Sequence, residues 1–232
     1  MQAVILAAGR GTRMGKLTEE FPKGLLSVCG KTLLEHKLDA LPESIDEVLL
    51  VIQHRGDLIQ QHFGDAHKGK KITYIVDQTL SGTAHALWQC KDSLHNRFLV
   101  MMGDDIYDKA SLHEVCQYDF AIVCKKVLPA ETGSRIILDD KGSLLNFVTD
   151  LKYKENHSDG GLVFTGLYAL TTDIFNYEPV KMKTKEEWGL PQTLLPVSKD
   201  HHIQIVETDF WISVNNENEL EFAEKTLSAH QH

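Results

Sequence analysis

Two glycines, two arginines and a lysine crowd the start of the chain, as Gly9-Arg10-Gly11-Thr12-Arg13 and then Lys23 behind Pro22. Glycines let a backbone approach a ligand closely, and the N–H groups of such a loop can converge on an anion. Guanidinium and ammonium groups add charge-assisted hydrogen bonds, so these residue types at this spacing suit phosphate groups. An ordinary tight turn with solvated basic side chains is the competing interpretation. Two well-known phosphate loops are excluded by position. A dinucleotide fingerprint needs a third glycine where Met14 stands and an acidic residue where Gln53 stands. A Walker loop fails at Gly15-Lys16, which Leu17 follows and which needs a glycine at Arg10, and at Gly30-Lys31-Thr32, which needs one at Leu25.

Two further stretches carry groups able to do chemistry. Met102-Gly103-Asp104-Asp105 ends an apolar run with carboxylates. Beside a phosphate loop these would hold magnesium, a hard cation that shares oxygen ligands with substrate phosphates. Asp77-Gln78-Thr79-Leu80-Ser81-Gly82-Thr83 offers Gln78, whose amide both donates and accepts and suits the edge of a base, and Gly82, which permits backbone approach to a ring. Taken alone, the first reads as an Asx turn and the second as a loop with an N-cap at Ser81 or Thr83.

Several elements must position these groups. Short continuous apolar runs at residues 4–8, 47–53, 71–76 and 98–102 read as buried parallel strands. Helical spacing at 32–41, 58–63 and 83–94 places helices between them, which implies a parallel sheet with crossovers. Residues 120–127, 134–138, 144–149 and 162–170 are strand-like and separated by short Gly/Asp turns such as Asp139-Asp140-Lys141-Gly142, which is antiparallel material. A weak helix at 187–195, a strand at 203–207 and a closing helix at 217–229 complete the expectation. Ligands of open α/β sheets sit outside the carboxyl ends of the strands, which sets the Gly9 loop beside the segments following Val76 and Met102.

Composition narrows the function classes. A net charge of -9 over 232 residues disfavours a general nucleic-acid binder, whose affinity needs a basic surface. The four cysteines form no C-x-x-C pair, which fits a reduced compartment, and the short apolar N-terminus is neither a signal peptide nor a membrane span, so the expected location is the cytoplasm.

Leu6-Ala7-Ala8-Gly9-Arg10-Gly11-Thr12-Arg13-Met14, followed by Phe21-Pro22-Lys23, resembles the signature of the sugar-1-phosphate nucleotidyltransferases, or NDP-sugar pyrophosphorylases. The likeness continues through Gly82-Thr83-Ala84-His85-Ala86, Gly103-Asp104, Thr165-Gly166-Leu167-Tyr168 and Glu187. It implies a reaction in which the phosphate of a sugar 1-phosphate attacks the α-phosphorus of an NTP and releases pyrophosphate, with Mg2+ as cofactor. By the same resemblance, Leu6, Ala7, Ala8, Gly9, Gly11 and Thr12 would hold the nucleotide, Arg13 the departing phosphates and Lys23 the α-phosphate. Gln78, Gly82 and Thr83 would contact the nucleotide, and Gly133, Asp150, Lys152, Gly166 and Glu187 the acceptor. Asp104 would bind the metal.

Three departures bear on this assignment. The second metal-binding aspartate of many members is replaced by Ser213, and Val214-Asn215-Asn216 resembles the asparagine pattern of N-acetylglucosamine-1-phosphate uridylyltransferases, which nominates Asn215 as second ligand. A turn before the last helix is the alternative role for these asparagines. Phe164 stands where that group has asparagine, and Asp150-Leu151-Lys152 shortens the family's glutamate. The resulting expectation is an α/β fold, a Rossmann-like three-layer sandwich with a mixed, mainly parallel sheet and an antiparallel acceptor-binding part. Residues 1–232 are expected to form one domain, with 1–115 mainly nucleotide-binding and 116–232 mainly acceptor-binding. No left-handed β-helix hexapeptide repeat follows, so no appended acetyltransferase or trimerising domain is expected, and the oligomeric state stays open. Two other functions remain: a cytidylyltransferase acting on a non-sugar phosphate such as phosphocholine, with Phe164 offering cation-π attraction, and a non-catalytic module that binds nucleotide sugars.

Overall fold

The computed structural model describes residues 1–127, 134–148, 161–183 and 185–229. The N-terminal half contains strands β1 (Gln2–Leu6), β2 (Ser27–Val28), β3 (Lys31–Thr32), β4 (Glu47–Ile52), β5 (Ala66–His67), β6 (Lys70–Val76), β7 (Arg97–Met102) and β8 (Asp105–Tyr107). Helices α1 (Leu33–Ala40), α2 (Gly56–Phe63), α3 (Thr83–Trp88) and α4 (Lys109–Val115) are set among them. The second half adds β9 (Ala121–Val127), β10 (Arg135–Leu138), β11 (Leu144–Val148), β12 (Gly161–Thr171), helix α5 (Leu190–Val197), β13 (Gln204–Thr208), β14 (Trp211–Ser213) and helix α6 (Glu217–Ala229).

The main sheet runs β11-β10-β12-β7-β1-β4-β6-β5, with β9 pairing both β12 and β13. Strands β7, β1, β4 and β6 are parallel, and Leu6 is level with Val51 on one side and Met102 on the other. Past their first residues, Gln2, Glu47 and Arg97, strands β1, β4 and β7 are apolar throughout because both faces are covered, whereas β6 carries Lys70, Lys71 and Thr73. Ala3, Ile5, Val48 and Leu50 pack with Leu34 and Leu38 of α1, Ile59 of α2 and Leu112 of α4. Val4, Leu49 and Val51 pack on the opposite side with Ala84 and Leu87 of α3 and Leu190 and Leu194 of α5. Three layers result, as expected from the alternation of strands and helices. Beyond β7 the pairing turns antiparallel: β12 runs against β7, β9 and β10, and β10 against β11. Strand β13 then adds to β9 in parallel, which makes the sheet mixed.

Local chemistry sets the boundaries. Thr32 and Glu35 form a reciprocal capping box at the start of α1. The helix expected over 83–94 stops at Trp88 and is followed by a 3-10 turn at Lys91–Ser93, where Asp92 and Ser93 bring side chains that compete with helical backbone bonds. Helix α5 starts at Leu190, three residues later than expected, with Pro191 in its first turn. Helix α4 has no counterpart among the sequence expectations. It begins at Asp108, whose carboxylate accepts from the Ser111 N–H at 2.8 Å. Among the described residues, no helix is long and apolar enough to cross a membrane.

Candidate active site

A cavity of about 320 Å³ opens at the carboxyl ends of β1, β6 and β7. Leu6, Ala7, Ala8, Gly9, Gly11, Thr12 and Arg13 form one wall. Gly11 has φ +65°, which turns the chain into the 3-10 segment Thr12–Thr18, and its carbonyl accepts from the Met14 N–H and the Thr18 hydroxyl. The N–H groups of Gly9, Arg10 and Gly11 make no hydrogen bond to any described residue. They are therefore available to an anion, as a phosphate loop requires.

Lys23 and Asp104 face each other across this loop, with Lys23 Nζ 2.6 Å from Asp104 Oδ2. Asp104 follows β7 and its carbonyl accepts from the Val214 N–H at 3.0 Å. That bond continues the β8–β14 ladder, in which Ser213 is level with Asp105. Asn215 is thereby brought to the same cavity, where its Oδ1 accepts from Arg13 Nη2 at 2.8 Å. Asn216 plays the turn role instead, because its side chain accepts from the Glu219 N–H at the start of α6. A small separate core of Met14, Val28, Leu33, Ile106, Ile212, Val214 and Ala223 clamps the glycine-rich loop to this C-terminal segment.

Behind Asp104 lies a buried polar network that the sequence alone did not single out. Asp105 accepts from the Tyr107 hydroxyl at 3.2 Å, and Lys37 of α1, only 1% exposed, donates to the Leu33 carbonyl at 3.1 Å. Burial raises the Asp105 carboxyl, with the Asp104 charge pushing the same way, and burial lowers the Lys37 ammonium. This network gives a physical reason for Ser213. An aspartate level with Asp105 would crowd a third carboxylate onto the pair already present, whereas the Ser213 hydroxyl hydrogen-bonds both Asp105 and the Asn215 amide.

The far wall consists of Asp77, Leu80, Gly82, Thr83 and Ala86, with Glu187 beside it. Gly82 has φ +103°, and a Cβ there would lie 2.5 Å from the Trp188 carbonyl oxygen. Main-chain bonds from Trp188 N to Ser81 O (2.7 Å) and from Ala84 N to Trp188 O (3.0 Å) lock the two loops together. Gln78, assigned to the base by resemblance, is exposed and outside this lining. Its buried neighbour Asp77 occupies the wall instead. An acidic residue ending the third strand was the available signal. Gly166 also lies outside the lining: it packs against Met102 and Asp105, where a Cβ would approach Met102 Cγ to 2.5 Å. Gly133, Asp150 and Lys152 fall outside the described residues. Phe164 is a core residue, packed edge-on against Phe147 and Tyr168, so it offers no aromatic face to a cationic acceptor.

Asp104 and Asn215 present two oxygen donors to one cavity. Magnesium is commonly held by one or two protein oxygens plus substrate phosphates, so this donor set fits it. Among the described residues there is no cluster of three or more His, Cys, Asp or Glu side chains that could hold a metal by itself.

The nucleotidyl transferase family model matches residues 2–226. The chain is 31% identical over 223 residues to the UTP–glucose-1-phosphate uridylyltransferase AglF of Haloferax volcanii, covering 91% of this chain and 89% of that protein. It is 27% identical to the bifunctional protein GlmU of Methanocaldococcus jannaschii over 98% of this chain, but spans only 54% of that protein. A D-glycero-alpha-D-manno-heptose 1-phosphate guanylyltransferase of Campylobacter jejuni is 28% identical over 178 residues, covering 76% of this chain and 78% of that protein. A solved Bacillus anthracis structure, assigned as a glucose-1-phosphate thymidylyltransferase in complex with a sucrose, superposes with a TM-score of 0.82 over 97% of this chain and 94% of that one. Its sequence identity is 21%, and the likeness is one of fold.

Proposed function

The chain belongs to the nucleotidyl transferase family, and from that premise we propose that it transfers an NMP from an NTP to a sugar 1-phosphate, giving an NDP-sugar and pyrophosphate. The observation that carries this reading is the Lys23–Asp104 pair, 2.6 Å apart, standing over a glycine loop whose N–H groups are unpaired among the described residues. In the reaction a phosphate oxygen of the acceptor forms a bond to the α-phosphorus while the bond from that phosphorus to the β-phosphate bridging oxygen breaks in line. The protein supplies position and charge rather than a covalent intermediate.

The loop from Ala8 to Thr12 holds the triphosphate, and Arg13 neutralises the pyrophosphate as it leaves. Lys23 is freed from Asp104 to meet the α-phosphate and the incoming phosphate. Asp104 and Asn215 would hold Mg2+, which would supply charge neutralisation for the phosphate groups. Glu187, beside the base wall, contacts the sugar. The four free thiols, Cys29, Cys90, Cys116 and Cys124, suit work in a reduced cytoplasm.

A panel of NTPs against sugar 1-phosphates, with phosphocholine as the alternative acceptor and pyrophosphate release as readout, tests this reading. Turnover is expected with a sugar 1-phosphate. Lys23→Ala and Asp104→Ala should each lower it by at least about tenfold, equivalent to roughly 1.4 kcal/mol of transition-state stabilisation. Absence of turnover with every pair, or unchanged rates in both variants, would refute it.

A further inference from the structure

Asp77 is a buried acid in the cavity wall to which the transfer chemistry assigns no task. It is 2% exposed and ends β6, where its N–H bonds to the Ile52 carbonyl at 2.9 Å. One carboxylate oxygen is fully engaged. Oδ1 accepts from the Thr79 N–H (2.9 Å), the Thr79 hydroxyl (3.1 Å), the Leu80 N–H (3.2 Å) and Gln89 Nε2 (2.6 Å). Oδ2 has no hydrogen-bond partner among the described residues, although the residue lines the cavity. Partial burial alone would raise this carboxyl, but the bonds from Thr79, Gln89 and Leu80 outweigh it and bring it below its usual value. At neutral pH the side chain is ionised and accepts hydrogen bonds only.

Its place in the sheet fixes what it faces. Strands β7, β1, β4 and β6 are consecutive neighbours, so Asp77 after β6 lies three inter-strand spacings, about 14 Å, from Asp104 after β7. If phosphates occupy the β1–β7 end, the other end of a bound nucleotide reaches β6, where Leu80 and Ala86 supply apolar surface for a ring.

We propose that Asp77 is the base-reading residue of this site and that its free Oδ2 selects guanine, making GTP the preferred donor; this rests on the nucleotidyl-transfer reading above. Guanine presents two adjacent donors, N1–H and the 2-amino group, and an acceptor-only oxygen with two lone pairs complements both. Uracil and thymine present one N–H flanked by two carbonyls, which a carboxylate repels. Adenine and cytosine offer one amino group beside a ring-nitrogen acceptor. Wrong pairing leaves buried polar groups unsatisfied, which is the condition under which binding sites discriminate strongly.

Equilibrium binding of GTP, ATP, CTP and UTP with Mg2+, to the wild-type chain and to Asp77→Asn, tests this. The asparagine keeps an oxygen for the four Oδ1 contacts and turns the cavity-facing atom from acceptor to donor. The wild type is expected to bind GTP at least about tenfold more tightly than UTP, and Asp77→Asn to lower that ratio by at least about tenfold, chiefly through lost GTP affinity. A wild-type preference for UTP, CTP or ATP overturns the proposal, as does an unchanged GTP:UTP ratio in the variant. The wild-type ratio decides the matter even if the variant does not fold. Binding in the expected order without pyrophosphate release from any sugar 1-phosphate would sink the transfer reading and leave the guanine preference standing.

Discussion

Replacing Gly82 by alanine should damage this protein through the main chain, and the structure sets the size of the effect. Gly82 lies at φ 103° and ψ 173°, a region that residues with a Cβ avoid at a cost of about 1–3 kcal/mol. The new Cβ would also stand 2.5 Å from Trp188 O and 2.8 Å from Trp188 N, whereas ordinary contact begins at 3.4 Å. Those are backbone atoms, so no rotamer change relieves the overlap. Displacing Trp188 stretches its bonds to Ser81 and Ala84, each worth on the order of 1 kcal/mol. A total near 3 kcal/mol is expected, or a fall in melting temperature of roughly 6–12 °C for a chain of this length. Gly142→Ala is the control, because Gly142 also has positive φ (+80°) but nothing lies within 4 Å of its added Cβ. That variant should lose only about 1 kcal/mol and keep full NTP affinity. Thermal unfolding and equilibrium NTP binding of the two variants decide the case. Should Gly82→Ala melt within about 2 °C of Gly142→Ala and bind NTP as the wild type does, the contact between the far wall and the Trp188 segment does not support the site.

Two further outcomes follow from the geometry. Asn215→Ala removes an oxygen that now accepts from Arg13, and the magnesium concentration giving half-maximal turnover should rise at least about threefold; an unchanged titration would refute a metal-binding role for Asn215. Asp39 carries hydrogen bonds from Lys31, Lys68 and His67, which outweigh the upward push of burial and hold its carboxyl below the usual range. Its stabilisation is therefore present above the ordinary carboxylate value near 3.9 and is lost as pH falls through the lower folded value. With the lysines exposed, Asp39→Asn should cost about 1 kcal/mol at neutral pH and flatten the acid limb of the stability curve below about pH 4; an unaltered acid limb in chemical denaturation contradicts this.

The layered α/β fold was legible because β1, β4 and β7 are uninterrupted apolar runs after their first residues, a pattern that a sheet covered on both faces requires. The glycine-rich loop at the cavity was legible for a related reason: glycine and basic residues there are contiguous, so composition and geometry coincide. The far wall was not. Gln78 and Asp77 are adjacent in sequence and differ in whether they face solvent or cavity, which depends on the Oδ1 contacts that fold the Asp77 loop inward. Lys37 shares α1 with Leu33, Leu34 and Leu38, and a lysine in such a helix reads as a surface residue until the acids beneath it are seen. Asn215 was marked out by likeness to other sequences, but its meeting with Asp104 depends on the β8–β14 ladder, whose three-residue strands give no periodic signal.

The small core around Met14 joins residues far apart in the sequence, and this orders events in time. Arg13 and Asn215 are separated by 202 residues. At a synthesis rate of about 5–20 residues per second, roughly 10–40 s pass between the emergence of the first and that of the second. The parallel strands can assemble within that interval, yet Asp104 still lacks its neighbour and the glycine loop its clamp. A nascent chain that has not reached Asn215 thus carries the glycine-rich loop without the core that holds it in place. The cavity is closed only once the segment around Asn215 has been made, so it belongs to both halves of the fold rather than to the first-formed one.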